Sequence, residues 1–92
     1  MKNQKHDMME PWMKKLTEGI ERIVGKEKVS HYQVAVLPQI LADFYKMLQS
    51  QSFGVAVHEQ YRMEDGSMEI ELCGVREADG SVKVTDARAY RG

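Results

Sequence analysis

Three histidines and one cysteine are the side chains with the greatest capacity for chemistry, and together they number enough donors for a zinc ion. They are His6, His31, His58 and Cys73. No two of them stand at the short spacings typical of metal sites, such as two cysteines with two residues between them or two histidines with three. We therefore expect neither a metal nor another cofactor, and we interpret the histidines as surface or capping residues.

His58 and Glu59 are the remaining candidates for acid–base chemistry. As neighbours on a predicted strand they point to opposite faces, so they cannot serve one site directly. Glu59 interrupts an apolar face between Val57 and Tyr61, and we expect it near the sheet margin or beside a cation. The sequence contains no phosphate-binding loop, dinucleotide fingerprint or nucleophile elbow. It therefore predicts a protein that is not an enzyme.

From residue 53 onward, apolar and polar residues alternate with a period of two, which predicts three short strands. The tripeptide Asp-Gly-Ser at residues 65–67 recurs at 79–81, between the alternating runs. Asp-Gly in this position predicts hairpin turns, because glycine adopts positive φ readily. A calcium loop would need oxygen ligands at several alternating positions, which neither copy supplies. We expect an antiparallel meander.

The phase of the alternation predicts the strand register. Two four-residue loops would place Met63 opposite Met68 and Val75 opposite Val84, so that apolar side chains share a face. In the middle strand the apolar residues are even-numbered up to Leu72 and then shift to Val75. This slip predicts a β-bulge at residues 73–74, where glycine is common.

Two helices are predicted before the strands. Residues 10–24 show helical apolar spacing, with Pro11 suited to the first turn and Gly25 to the end. The next stretch is ambiguous. Ser30 followed by Gln33 is a capping-box pattern that predicts a helix start, but Pro38 then interrupts a helix running to about residue 50. The alternatives are a helix kinked or broken near Pro38, or a strand at 32–36 followed by a helix.

These elements predict an α+β fold, with two N-terminal helices, the second kinked or broken near Pro38, packed on one face of a three-stranded antiparallel β-meander. The chain of 92 residues fits a single domain, 1–92, with residues 1–6 disordered. The net charge of −1 is not that of a typical nucleic-acid-binding domain. One cysteine and no visible targeting or membrane-spanning segment favour the cytoplasm.

Two regions are predicted to bind a partner protein. One is the N-terminal cluster of Met8, Met9, Trp12 and Met13, since methionine and tryptophan suit adaptable contact surfaces. The other is the first strand, residues 53–63, which is long for an edge and lacks proline and lysine. Its binding residues would be Ala56, His58, Gln60 and Arg62. We expect a homodimer, through either the strand or the helix.

The leading hypothesis is a small non-enzymatic protein-interaction module, a regulator or inhibitor that occupies a partner's surface, as small proteins of phages and mobile elements often do. The alternative is a nucleic-acid-binding protein that uses basic residues of the turns and last strand. The residues proposed for contacts with nucleic acid or an acidic partner are Arg62, Arg76, Lys83, Arg88, Tyr90 and Arg91. Basic and aromatic residues interleave at Arg88, Tyr90 and Arg91, and such a pattern suits nucleic acid.

Overall fold

The computed structural model describes residues 10–92 and contains three α-helices and one π-helical segment, followed by three strands. These are α1 (Pro11–Val24), α2 (Lys26–His31), a π-helical segment (Tyr32–Val36), α3 (Leu37–Gln49), β1 (Ala56–Arg62), β2 (Met68–Arg76) and β3 (Val82–Arg91). The strands form one antiparallel sheet in the order β1-β2-β3, and the helices pack on one of its faces. The predicted α+β fold is confirmed. The predicted disorder of residues 1–6 lies outside the described residues.

Helix α1 has the predicted limits. Pro11 occupies the first turn, where its missing N–H costs no hydrogen bond. Leu16 and Ile20 are fully buried on the side that faces the sheet. Gly25 ends the helix with a φ of 93°, a conformation that glycine adopts without strain.

The second helical stretch is continuous but irregular, so the kinked-helix alternative is confirmed and the strand at 32–36 is wrong. The Leu37 N–H donates to the carbonyl of Tyr32, five residues earlier, instead of four. In a regular helix the ring of Pro38 would collide with the carbonyl four residues before it. The wider π turn ends just before Pro38, which then lies in the first turn of α3.

The predicted helix start at Ser30 is wrong. Helix α2 begins at Lys26, directly after Gly25, and Ser30 lies inside it without capping its N-terminus. The positive φ of Gly25 lets the chain change direction within one residue and enter a new helix at once. The capping-box pattern at Ser30 therefore does not mark the start of the helix, which begins four residues earlier.

Both Asp-Gly-Ser sequences form turns, as predicted. Gly66 and Gly80 have φ angles of 73° and 91°. In each turn the aspartate carboxylate accepts the N–H of the serine two residues later, at 2.9 Å for both Ser67 and Ser81. The serine side chain, followed by this backbone N–H, lowers the pKa of Asp65 and of Asp79. The repeat is therefore an architectural feature.

The two loops differ in length. The Met63 N–H donates to the Met68 carbonyl at 3.0 Å, which closes the predicted four-residue loop. In the second loop the Glu77 N–H donates to the Ser81 carbonyl at 2.8 Å, so only three residues lie between them. Val75 consequently faces Lys83, and the predicted pairing of Val75 with Val84 is wrong.

The register shifts at Cys73 and Gly74, where the bulge was predicted, but the extra residue lies on β3. Cys73 faces Asp86 and Gly74 faces Val84, which leaves Thr85 without a partner. Strand β2 keeps its alternation, because Gly74 is buried on the same face as Leu72. Gly74 has no side chain that would reveal this inward position in the sequence.

Gly74 is the point of closest approach between the sheet and α3. A Cβ atom at this position would lie 2.8 Å from Leu48 Cδ1, 2.9 Å from Phe44 Cε2 and 2.9 Å from the carbonyl oxygen of Lys83. Phe44 and Leu48 are both fully buried in the core. Their side chains therefore occupy the space that any other residue at 74 would need.

We expect Gly74→Ala to destabilise the protein by roughly 1–3 kcal/mol, because Phe44 and Leu48 must leave their packed positions and the Lys83 carbonyl cannot move cheaply. Urea unfolding at neutral pH measures the difference. The matched control is Cys73→Ala, a small change at the adjacent residue on the opposite face, which should cost less. Equal stability of Gly74→Ala and the parent would contradict the close approach.

We expect Gly66→Ala and Gly80→Ala each to destabilise by about 1 kcal/mol or more, since alanine is strained at positive φ. Open space surrounds both positions, so the loss of stability would come from backbone strain and not from a steric clash. Asparagine tolerates this conformation better than alanine. Gly66→Asn and Gly80→Asn should therefore lie between the alanine variants and the parent in thermal unfolding, and an alanine variant as stable as the parent would refute the turn geometry.

Candidate functional site: the outer face of the sheet

The face of the sheet opposite the helices carries no covering element within residues 10–92, and we call it the outer face. Its side chains follow from the alternation along each strand and from the register. They are Ala56, His58, Gln60 and Arg62 from β1, Glu69, Glu71, Cys73 and Val75 from β2, and Lys83, Asp86, Arg88 and Tyr90 from β3. Polar and charged groups predominate, as is usual for the solvated face of an antiparallel sheet.

Glu71 is the centre of the outer face. His58 Nε2 donates to its Oε2 at 2.9 Å and Gln60 Nε2 donates to the same oxygen at 3.3 Å. From the other neighbouring strand, the Tyr90 hydroxyl donates to Oε1 at 3.2 Å. The hydrogen bond from His58, followed by that from Gln60, holds the pKa of Glu71 below its ordinary value. One carboxylate thus links all three strands.

The network continues to the far edge of the sheet. Arg88 Nη1 donates to the Tyr90 hydroxyl at 3.4 Å, and Arg88 Nε lies 3.5 Å from Asp86 Oδ2. Lys15 of α1 reaches Asp86 Oδ1 at 2.8 Å, and this contact is the main cause of the lowered pKa of Asp86. The edge of β3 is therefore tied to the helical layer.

Arg62 and Glu69 form a separate cross-strand pair. Two nitrogens of the Arg62 guanidinium, Nη2 and Nε, lie 3.0 and 3.2 Å from Glu69 Oε2. Residues of opposite charge that face each other across an antiparallel pair of strands stabilise each other. This pair fixes the Arg62 side chain at the end of β1.

Cys73 lies opposite His58 and near Glu71, so the residue types of a nucleophilic site come together. The geometry does not favour that chemistry. Burial, together with the negative charges of Asp86 and Glu71, raises the pKa of the Cys73 thiol. The thiolate is the nucleophilic form, so a raised pKa makes this cysteine less reactive.

Among residues 10–92, no three His, Cys, Asp or Glu side chains lie close enough together to hold a metal ion. An open cleft of about 520 Å³ lies between the π-helical segment and the β1–β2 turn. His31, Asp43, Arg62 and Glu64 are among the residues that line it. Because its charges are of both signs and it opens widely to solvent, its lining selects no particular ligand.

The structure unites two sets of residues that the sequence had kept apart. The β1 set of Ala56, His58, Gln60 and Arg62 shares the outer face with the β3 set of Lys83, Arg88 and Tyr90. Glu71 was missed, because its contacts with both neighbouring strands depend on the register. The signal available in the sequence was its place in the alternating run that begins at Met68.

Other predicted site residues lie elsewhere. Arg76 is part-buried, with Nη1 donating to the Gln51 carbonyl at 3.1 Å and its guanidinium 4.8 Å from the centre of the Phe53 ring. Trp12 and Met13 are half-buried against the core, on the helical layer. Arg91 is exposed at the end of β3. Met8 and Met9 lie outside the described residues.

Comparison with protein-family models, curated proteins and solved structures finds no match for this chain. In residues 10–92, no helix combines the length and apolar character needed to cross a membrane. The function is therefore inferred from the geometry of the outer face.

We expect Glu71→Gln to reduce the stability of the protein at neutral pH and to flatten its loss of stability in acid. The native pKa of Glu71 is lowered, so its stabilising effect is fully present above the pKa of an unfolded glutamate, about 4.3. That effect disappears as the pH falls through the lower native pKa. Urea unfolding from about pH 7 to about pH 3 should show the parent and the variant converging in acid.

The matched control is Glu69→Gln, on the same strand and face. Glu69 has Arg62 as its cation, and exposed pairs of this kind contribute only about 0–1 kcal/mol. We expect a smaller effect at neutral pH. A constant stability difference between Glu71→Gln and the parent across the pH range would contradict the role assigned to Glu71.

Proposed function

We propose that this protein is a non-enzymatic protein-interaction module that binds a partner protein through the outer face and regulates or inhibits it by covering its surface. The observation that carries the proposal is that the outer face is open while its polar side chains are already held around Glu71. Binding costs free energy for every side chain that must be immobilised. Side chains fixed beforehand on rigid strands reduce that cost.

The exposure of the charged groups indicates the chemistry of the partner. The side chains of Arg62, Lys83 and Arg88 are 75%, 60% and 53% exposed, whereas those of their acidic partners Glu69, Glu77 and Asp86 are 26%, 42% and 37% exposed. The cations therefore project towards solvent above the acidic groups that hold them. This arrangement favours a partner surface with an acidic patch, since complementary charges steer association and fix orientation.

Tyr90 is the strongest candidate for an anchor residue. It is one of the exposed large hydrophobic side chains, at 41%, and its hydroxyl is fixed between Arg88 and Glu71. Tyrosine and arginine are enriched among the residues that dominate binding energy at protein interfaces. A partner that covers Tyr90 would also lie over Arg88 on the same strand and Glu71 on the neighbouring strand, the two residues that the Tyr90 hydroxyl contacts.

Nucleic-acid binding has less support. Arg62, Lys83 and Arg88 already lie beside Glu69, Glu77 and Asp86, at 3.0, 3.3 and 3.5 Å. Affinity for nucleic acid grows with the number of phosphates that cations neutralise. Three cations would neutralise few phosphates, whereas a protein partner needs only a local acidic patch, and the net charge of −1 adds no attraction for a polyanion.

We place this function in the cytoplasm. Cys73 is a free thiol, and a chain with one unpaired cysteine suits a reducing compartment. The raised pKa of that thiol also slows its oxidation, since oxidation follows thiolate character.

The proposal is tested by measuring partner binding with outer-face variants. Proteins captured from the native host by the tagged chain are identified by mass spectrometry, and the affinity of the purified partner is then measured by calorimetry. We expect Tyr90→Ala to weaken binding by about tenfold or more, as truncation of an anchor residue does. Arg62→Ala should weaken it less and should slow association.

The control variants are Lys14→Ala and Lys46→Ala, both exposed on the helical layer. They should bind the partner as the parent does. Binding that tolerates Tyr90→Ala and Arg62→Ala but fails with a helical-layer variant would refute the outer face as the binding site. Binding that nuclease treatment abolishes would favour the nucleic-acid alternative.

A further inference from the structure

The sheet has a free edge at β1. Within residues 10–92, β1 pairs with β2 on one side only. The hydrogen bond from the Met63 N–H to the Met68 carbonyl makes these opposite residues a hydrogen-bonded pair, and such pairs alternate along an antiparallel strand. The N–H and C=O groups of Val57, Glu59 and Tyr61 therefore point to β2. Those that point away from the sheet belong to Ala56, His58, Gln60 and Arg62.

The two edges of the sheet differ in their protection. Along β3, the unpaired Thr85 interrupts the ladder, and Lys15 of α1 reaches over to Asp86. Strand β1 contains neither proline nor lysine and pairs with β2 without a register shift. Natural proteins usually protect their edges with such devices, because an unprotected strand pairs with other chains. Strand β1 has one such device, Glu59 on the helical side of the sheet, and is otherwise the edge open to pairing.

Two exposed apolar side chains adjoin this edge. Phe53 and Val55 are 56% and 45% exposed, directly before β1. They are held in place, because the Phe53 ring stacks on the Arg76 guanidinium and the Gly54 N–H donates to the Arg76 carbonyl at 2.8 Å. A strand added at this edge would cover apolar groups that are already fixed beside it.

The sequence of β1 indicates which strand fits. When β1 pairs antiparallel with a second copy of itself, the residues whose N–H and C=O groups point away from the sheet must face one another. Three registers meet this condition and overlap most of the strand, and they are centred on His58, Glu59 and Gln60. A register centred on Glu59 opposes this residue to its own copy, and like charges directly opposite are destabilising. A register centred on Gln60 sets His58 against Arg62 and leaves Val55 beyond the end of the other strand.

The register centred on His58 keeps Glu59 away from its own copy and includes Val55, with His58 itself opposite His58 of the second copy. It sets Val55 opposite Tyr61 of the second copy and Val57 opposite Glu59, on the helical side of the sheet. Aromatic and β-branched residues stabilise such cross-strand pairs. Val55 and Tyr61, on either side of His58, are therefore complementary to one another under a two-fold rotation.

We propose that β1 is the interface of a two-fold dimer, in which the β1 strands of two copies pair antiparallel about His58 and form one six-stranded sheet. The occupant of the edge is a second copy because β1 and the residue before it supply both halves of the Val55–Tyr61 pair, which forms twice in the dimer. The inference stands apart from the outer-face proposal, since it concerns the backbone edge of β1. Loss of the Tyr90 side chain should leave the dimer intact.

Sedimentation equilibrium of the full chain tests the association. We expect a mass twice that of one chain at about 100 μM and a measurable dissociation at lower micromolar concentrations. Val55→Glu should weaken the dimer by about tenfold or more, because it brings a carboxylate beside Tyr61 and Glu59 of the second copy. The matched control is Val34→Glu, the same change at a more exposed valine on the π-helical segment, which should leave the dimer unchanged.

A second variant separates a lost interface from a lost fold. Gln60→Pro removes an N–H that points away from β2, so the native sheet keeps its own hydrogen bonds. We expect a folded monomer, with the circular dichroism spectrum of the parent. Because the Gln60 side chain also contacts Glu71, Gln60→Ala is measured beside it and should remain a dimer.

Disulfide cross-linking tests the register. In a Cys73→Ser background, which removes the thiol directly opposite residue 58, His58→Cys should form a cross-linked dimer on mild oxidation. Directly opposite residues of a hydrogen-bonded pair lie about 5.5 Å apart between Cα atoms, within the range that a disulfide spans. Gln60→Cys in the same background should cross-link far less, because residue 60 would face residue 56.

Three outcomes would overturn the proposal. A monomeric mass up to about 100 μM would show that the edge does not bind a second copy. A dimer broken by Val34→Glu but not by Val55→Glu or Gln60→Pro would place the interface on the helical layer. Preferential cross-linking at residue 60 would refute the register centred on His58.

Discussion

The contact of Phe44 and Leu48 with the bare backbone of Gly74 sets the distance between the two layers. Helix α3 lies low over the sheet because no side chain at residue 74 holds it away. Helix α1 approaches β3 in a similar way, since a Cβ atom at the buried Gly19 would lie 3.4 Å from the Cβ of Ala89. Both helices are thus committed to the same face of the sheet. The buried side chains of β2 all point towards them, and its opposite side chains are left to solvent.

The bulge at Thr85 determines which side chains of β3 reach the outer face. Val84 and Ala87 are both buried, although an uninterrupted strand would turn residues 84 and 87 to opposite faces. If β3 continued its alternation from Val84, then Arg88 and Tyr90 would point into the core. The extra residue reverses the phase, so these two side chains meet Glu71 on the outer side. The polar network therefore depends on one irregular residue, and burial of the core and assembly of the outer face have the same cause.

Sequence reasoning succeeded where the physical signal was local. The positive φ of Gly25, Gly66 and Gly80 follows from glycine beside helical or alternating runs, and the alternation itself predicted the meander. It failed where the structure of a residue depends on its pairing with a neighbouring strand. The bulge was assigned to β2 because Gly74 carries no side chain, and the second loop was one residue too long because the register of β3 was unknown. Likewise, Glu71 looked like any other charged residue, because its role depends on His58 and Tyr90 from two other strands.

The geometry also relates the outer face to the edge of β1. His58 belongs to both, since its side chain contacts Glu71 while its backbone groups point away from the sheet. Pairing of two copies about His58 would join their outer faces into one surface without covering Tyr90, which lies on the far strand. Each copy would then carry its projecting Arg62 four residues along β1 from the two-fold axis and its Arg88 two strands across the sheet from β1. A partner that presents two acidic patches would bind both copies at once, and the second contact would form at the high effective concentration that the first one creates. Dimerisation would in this way raise affinity for such a partner without any new contact within either outer face.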